Sequence, residues 1–238
     1  MVAGADDVLM QEFNMPDGTP TSNVIAVHYG TTKKDEIVVV GAHFDSISQK
    51  PTSSAPGAID NGSGSTALML LAQAIGSAEF ARTVHFVAFS GEEQGLYGSA
   101  HYVKEAKRAG LAVVGALTMD MISFSAKYYG VTVEGTKDTA IKALQTLTVS
   151  NMQQFAPKLD VRTSDNSFGS DHVSFQEAGI PAILTIELDD GLPPNFDITY
   201  PDYHTTKDSV ANCNEAQSVD IVKGLAGTLY DLANPSAQ

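Results

Sequence analysis

The sequence is poor in cysteine, tryptophan and arginine, and the low count of each argues against particular kinds of site or function. The single cysteine, Cys213, permits no intrachain disulfide and excludes a zinc site built from several thiolates. Lys and Arg together number 14 against 28 Asp and Glu, so the formal net charge is −14. Because nucleic-acid binding relies on clustered basic residues, we expect no nucleic-acid partner. The excess of acid serves solubility, or it reflects carboxylates held for metal cations.

Long hydrophobic runs are also missing. No window of about 18 consecutive apolar residues is present, so no membrane span is predicted. The first eight residues have neither the basic nor the apolar region of a signal peptide, which leaves a cytoplasmic protein or the mature domain of an exported one. With 238 residues, 43% of them hydrophobic, the chain can bury a sizeable core, and we predict one domain over 1–238 and a monomer.

Short apolar runs typical of strands alternate with helical patterns. This alternation predicts an α/β fold: a three-layer sandwich with a mixed, mostly parallel sheet flanked by helices, and two antiparallel strands added at one edge. The segment 152–168 is polar and is predicted to be irregular. The predicted strands are 8–15, 23–29, 37–42, 82–89, 113–121, 129–134 and 182–187, and the predicted helices are 63–78, 96–109, 136–150, 171–178 and 215–232.

Histidines and carboxylates follow several of the predicted strands. Taken one at a time, each has an ordinary explanation as a turn residue, a helix cap or an acidic first turn. Taken together they fall at one edge of the sheet, where α/β proteins bind ligands. Five of them, two imidazoles and three carboxylates, suit two divalent ions about 3.5–4 Å apart: His43, Asp60, Glu93, Asp120 and His204.

The charges of this set also balance. Two divalent cations carry four positive charges, which three carboxylates and one hydroxide neutralise, so the site can be buried. Nitrogen and oxygen ligands without sulfur suit zinc, with cobalt or manganese as alternatives. Glu92 is left over beside Glu93, and a free carboxylate near the activated water is what a general base must be.

The motifs that hold these residues resemble those of the M28 family of zinc aminopeptidases. They occur in family order from about residue 37 to residue 210, at 41–46, 57–64, 89–99, 119–121, 170–172 with 179–181, and 203–208. The resemblance implies a zinc-exopeptidase fold and two Zn²⁺ per chain. It also implies secretion or a periplasmic location, since most of the family is exported.

The resemblance implies a role for each site residue. His43 and Asp120 would hold one zinc, Glu93 and His204 would hold the other, and Asp60 would bridge both. Glu92 would be the general base and acid, and Asp45 would orient His43 through the second ring nitrogen. A cis peptide bond would join Asp60 to Asn61, which stands where many relatives have Asp.

The implied substrates are peptides with a free N-terminus and an apolar first residue. We expect the pocket for that residue to be built from Met121, Phe168, Phe175 and Tyr203, which flank the ligands or the 170–172 motif. A cationic amine suits an acidic site, whereas a C-terminal carboxylate would need a basic partner that the predicted loops do not offer.

Three alternatives share this fold. A glutaminyl cyclase-like acyltransferase typically lines its pocket with Trp, which this chain lacks. A glutamate-releasing carboxypeptidase needs clustered Arg, and the chain has three scattered ones. A non-enzymatic binding module loses metal ligands, and none is missing here.

Overall fold

An eight-stranded sheet forms the middle layer of the computed structural model, which describes residues 5–76, 78–125, 127–165, 169–187 and 200–235. The strand order across the sheet is β1-β2-β4-β3-β5-β8-β6-β7. The strands are β1 (Asp7–Asn14), β2 (Pro20–His28), β3 (Lys33–His43), β4 (Arg82–Phe89), β5 (Ala112–Met119), β6 (Gly130–Glu134), β7 (Asp160–Ser164) and β8 (Ala182–Glu187). The helices are α1 (Gly64–Ala74), α2 (Tyr97–Arg108), α3 (Thr139–Phe155), α4 (His172–Glu177) and α5 (Glu215–Ala233).

The sheet is mixed and mostly parallel, as predicted. Strands β4, β3, β5 and β8 are successive parallel neighbours, and β6 pairs in parallel with β7. The first two strands form the predicted antiparallel addition at one edge. A further antiparallel pair, β6 with β8, joins the β6–β7 unit to the centre of the sheet.

Helices cover both faces of the sheet and complete the three layers. Side chains of α1, α3 and α5 pack with one set of strand residues, and those of α2 and α4 pack with the other. The central strand β3 shows why: Val38 and Val40 belong to the first core and Val39 to the second. A strand buried on both faces is apolar at successive positions, which is the pattern of its sequence. Among the described helices, none combines the length and the apolarity needed to cross a bilayer.

Several elements differ in their bounds from the sequence-based prediction, and two of the differences have a clear local cause. The strand β7 lies inside the segment predicted to be irregular, because it is a partly exposed edge strand whose side chains are mostly polar. Helix α3 begins at Thr139 rather than at 136, since the Asp138 side chain accepts the N–H groups of Ala140 and Ile141 and caps the helix there.

Candidate metal centre

The carboxyl ends of three neighbouring parallel strands meet at one edge of the sheet. His43 is the last residue of β3, and Asp120 directly follows β5. Glu92 and Glu93 lie in the turn between β4 and α2. Because these strands run in the same direction, their ends bring a ring nitrogen and three carboxylates to one place.

Asp60 reaches the same place from a helical turn over Ala58–Ser63, just before α1, and its peptide bond to Asn61 is cis, as expected. The Asn61 side chain fixes this turn to the end of β5. Its amide donates to the Met119 carbonyl at 2.9 Å, and its oxygen accepts the Met121 N–H at 3.3 Å. Asn61 therefore holds the turn against the residues on either side of Asp120.

Three of the predicted ligands form a first group. The Nε2 atom of His43 lies 3.3 Å from Asp120 Oδ1 and 3.4 Å from Asp60 Oδ1. All three side chains are buried, and their ligand atoms lie within 4.8 Å of one another. This spacing allows one cation to be bound by all three.

A second group shares Asp60 with the first. The Nε2 atom of His204 lies 3.1 Å from Asp60 Oδ2 and 2.9 Å from Glu93 Oε2. Asp60 thus directs one carboxylate oxygen to each group. The five predicted ligands come together as two groups of three with one common member.

The pKa values of these groups reflect carboxylates that are crowded into a buried site. Burial raises the pKa of Glu93 to about 7, helped by the charge of Asp60, and burial also raises the pKa of Asp60. Burial opposes the charged form of His43, but the charges of Asp120 and Glu92 outweigh it and raise the pKa of His43 well above its ordinary value. Crowded carboxylates of this kind are relieved by divalent cations, and their nitrogen and oxygen donors suit zinc.

Glu92 lies beside both groups without belonging to either. Its Oε2 atom is 4.0 Å from Nε2 of His43, the longest of the ion-pair distances in the cluster. Burial, with the charge of Asp120 as the second cause, raises its pKa from 4.5 to about 9. A carboxyl group with a raised pKa beside the ligands, yet outside the ligand groups, is placed to exchange protons.

Asp45 contacts His43 in a different way from the one expected. The backbone carbonyl of Asp45, rather than its carboxylate, lies at hydrogen-bonding distance from His43 Nδ1, at 3.1 Å against 3.8 Å. The carboxylate instead accepts the backbone N–H groups of Glu92 and Glu93, both at 3.2 Å. Asp45 therefore connects the β3 end to the turn that carries both glutamates.

A cavity of about 340 Å³ opens onto the two groups. Met121 and Tyr203, two of the predicted pocket residues, line it, together with Leu96 and Ile186, which sequence reasoning missed. Ile186 lies in β8 near its carboxyl end, a position that could have indicated it.

A third predicted pocket residue, Phe175, does not line this cavity. Phe175 is fully buried and packs against Phe89 and Tyr102, with ring centroids 6.1 and 5.9 Å away. It belongs to the core beneath α2 and α4, because its position on α4 faces the sheet. Phe168 lies outside the described residues.

Left-handed backbone is concentrated around the cavity. Among the described residues other than glycine, positive φ angles occur at Leu96 (61°), Met121 (48°) and His204 (54°), and all three line it. A side chain makes this conformation unfavourable, so such residues gather where the surrounding structure and the function require them.

Two serines support the ligands from behind. The hydroxyl of Ser170 donates to Asp120 Oδ2 at 2.8 Å, and the hydroxyl of Ser65 on α1 donates to the His43 carbonyl at 2.7 Å. The contact of Ser170 with Asp120 joins residues 50 positions apart, and the sequence alone does not indicate it. Both hydrogen bonds hold ligand-bearing backbone or side chains in place.

Known proteins similar in sequence to this chain include peptidases. Residues 23–228 match the model of peptidase family M28. A probable leucine aminopeptidase of Arthroderma otae is 33% identical over 211 residues, which cover 84% of this chain and 55% of that protein. The chain thus spans about half the length of the curated relatives it matches.

Solved structures with a similar fold superpose on most of this chain. A zinc aminopeptidase from Bacillus subtilis superposes with a TM-score of 0.77 at 26% identity, covering 92% of this chain and 52% of that one. A glutaminyl cyclase from Bacteroides thetaiotaomicron has the same TM-score at 16% identity, covering 94% and 84%. Because the family model matches most of its length, and its predicted ligands meet in two groups, this chain belongs to peptidase family M28.

Proposed function

We propose that this chain is the catalytic part of an aminopeptidase with two zinc ions. The observation that carries the proposal is the arrangement of Asp60 and Glu92. Asp60 offers one oxygen to each ligand group, whereas Glu92 stays outside both. Two groups that share a bridging carboxylate, with a free carboxylate beside them, match what hydrolysis assisted by two metals requires.

In this proposal His43 and Asp120 would hold one zinc, Glu93 and His204 would hold the other, and Asp60 would be shared by both. Bound zinc would supply Lewis acidity for the scissile carbonyl and for a water molecule. The donor atoms support zinc, since they comprise imidazole nitrogen and carboxylate oxygen only.

Glu92 acts as the general base and then as the general acid. Its carboxylate takes a proton from the attacking water and gives it to the leaving amine as the peptide bond breaks. Asp45 supports this role by accepting the Glu92 backbone N–H, which fixes the glutamate at the cavity wall.

The substrate is a peptide with a free N-terminus and an apolar first residue. Met121, Tyr203, Leu96 and Ile186 provide an apolar wall beside the ligands. Burying a leucine-sized side chain there is worth about 1.5–3 kcal/mol. The cavity also contains the carboxylates of the site, which attract a cationic amine and repel a C-terminal carboxylate.

The test uses one leucyl peptide in three forms: unmodified, N-acetylated and C-terminally amidated. We expect acetylation to abolish release of leucine and amidation to leave it unchanged. Zinc per chain, measured on the same sample, should be two. Internal cleavage of the acetylated peptide, or a need for the free C-terminus, would refute the aminopeptidase proposal.

The glutaminyl cyclase alternative draws support from the shared fold alone, at 16% identity. It predicts release of ammonia from an N-terminal glutamine with a single zinc per chain, so the zinc count and this product separate the two. A monomeric state, one domain over 1–238, and a secreted or periplasmic location stay predictions.

A further inference from the structure

Asp208 lies behind the bridging carboxylate and contacts the turn that carries it. Its Oδ1 atom accepts the Ile59 N–H at 2.8 Å, and its Oδ2 atom accepts the Asp60 N–H at 3.0 Å. The backbone carbonyl of Asp208 also accepts the Ala58 N–H at 3.3 Å. Three successive N–H groups of the Asp60 turn are thus bound by one residue.

The same residue belongs to the segment that carries the second histidine. Asp208 follows His204 by four positions, and its N–H donates to the Thr205 carbonyl at 3.2 Å. Between this segment and the Asp60 turn lie almost 150 residues of chain. Asp208 therefore joins a ligand of the second group to the ligand that both groups share.

A carboxylate suits this position better than any neutral side chain. Asp208 is 2% exposed, and the hydroxyl of Tyr200 donates to its Oδ1 atom at 2.8 Å. An amide has only one oxygen, and its NH₂ group would face one of the two backbone donors, leaving a buried N–H without an acceptor. The Tyr200 hydroxyl is itself held by the side-chain amide of Asn212 at 2.8 Å.

We propose that Asp208 is a positioning residue for Asp60, and that the affinity for both zinc ions depends on it. The proposal rests on the two-zinc site described under the proposed function. Because Asp60 offers one oxygen to each group, a small rotation of its backbone moves both oxygens at once. Loss of the Asp208 contacts therefore lowers the affinity for both ions together, whereas loss of a terminal ligand lowers the affinity for one.

The experiment measures zinc binding directly, by competition with a chelator, on the full chain. Asp208→Asn should raise both dissociation constants by about 10–100-fold, the range typical of residues that orient metal ligands. Tyr200→Phe removes one of the three hydrogen bonds to the Asp208 carboxylate. It should raise both dissociation constants as well, by a smaller factor. This milder variant provides the test if Asp208→Asn does not fold.

Asp202→Asn is the matched control. It removes one negative charge from the same segment, and the Asp202 carboxylate contacts Asn212 at 3.3 Å rather than the Asp60 turn. Zinc affinity in this variant should stay within about twofold, since long-range charge effects are screened by salt. Equal losses in Asp202→Asn and Asp208→Asn would mean that charge alone matters, and would overturn the proposal.

A second readout separates positioning from general stability. Zinc raises the melting temperature by an amount set by its affinity, so a weaker site gives a smaller rise. Asp208→Asn should shrink the zinc-induced rise, whereas a purely structural defect lowers the melting temperatures with and without zinc equally. An unchanged rise overturns the role of Asp208. Failure to release leucine from the wild-type chain would instead refute the proposed activity and leave these zinc measurements valid.

Discussion

Replacing Glu92 by Gln tests whether Glu92 is the general base while its neighbour Glu93 is a zinc ligand. The change keeps the shape of the side chain and removes its ability to carry a proton. Since general acid–base assistance contributes about 10²–10⁴-fold, kcat should fall by at least that factor, or about 3–5 kcal/mol. Zinc content should stay at two, because Glu92 lies outside both ligand groups.

The same variant should raise the stability of the zinc-free chain. Burial raises the pKa of Glu92 from 4.5 to about 9, so the folded state binds a proton that the unfolded state has released. Stability of the zinc-free wild type therefore falls as the pH rises from 4.5 to 9. At pH 7.5 the cost has an upper bound of about 4 kcal/mol, from three pH units at about 1.4 kcal/mol each. Gln does not titrate, so it avoids this cost.

Melting curves in the presence of a chelator provide the assay. If half of that bound is realised, zinc-free Glu92→Gln should melt about 4–8 °C above wild type at pH 7.5, and at the same temperature near pH 4.5. Glu93→Gln is the matched comparison and should lose the zinc shared with His204, while exposed Glu177→Gln should change nothing. A Glu92→Gln chain that binds one zinc, or that keeps its activity, would refute the assignment.

Three further predictions follow from other contacts. Asp45→Asn should lower the affinity for the zinc at Glu93 by about 10–100-fold, because the Asp45 carboxylate accepts the Glu93 N–H. The affinity at His43 should not change, since the His43 ring faces the Asp45 backbone. Zinc titration measures both affinities, and equal losses at both sites would contradict the prediction. Ile186→Ala should lower the ratio of kcat/KM for leucyl over glycyl peptides by roughly tenfold, and an unchanged ratio would remove Ile186 from the pocket. Without zinc the wild type should lose stability between pH 4.5 and 9, because the pKa values of Glu92 and Glu93 are raised above those of the unfolded chain. Saturating zinc should make the melting temperature nearly independent of pH. A zinc-free melting temperature that does not change with pH would argue against the crowded carboxylates.

The α/β architecture could be predicted because its periodic signals are local. The buried strand β3 and the alternation of strands and helices gave the layers and the parallel centre of the sheet. The edge strand β7 could not be found in this way, because its polar residues lack the apolar run of a buried strand. The antiparallel pairing of β6 with β8 depends on contacts between distant segments, which periodicity does not contain.

The site divides along a similar line. Of the predicted ligands, His43, Glu93 and Asp120 lie at or just after the ends of parallel strands, as does Glu92, so their meeting follows from the direction of the strands. Asp60 and His204 reach them from a turn and a loop, and only their motifs indicated them. Side-chain orientation does not follow from position in a motif, and Phe175, placed near the pocket by its neighbours in sequence, packs in the core instead. The partners of Ser170 and Asp208 lie 50 and 148 residues away, and no spacing rule connects them.

The left-handed residues around the cavity limit how far this protein can be made heat-stable. At about 1–2 kcal/mol each, Leu96, Met121 and His204 together cost about 3–6 kcal/mol, a large share of the 5–15 kcal/mol that holds a typical fold. Glycine at these positions would recover part of that energy, yet it would remove two side chains that line the cavity and one of the proposed zinc ligands. Selection for thermal stability alone would therefore favour glycine at these three positions. Selection that also requires peptide cleavage would have to gain stability from substitutions elsewhere.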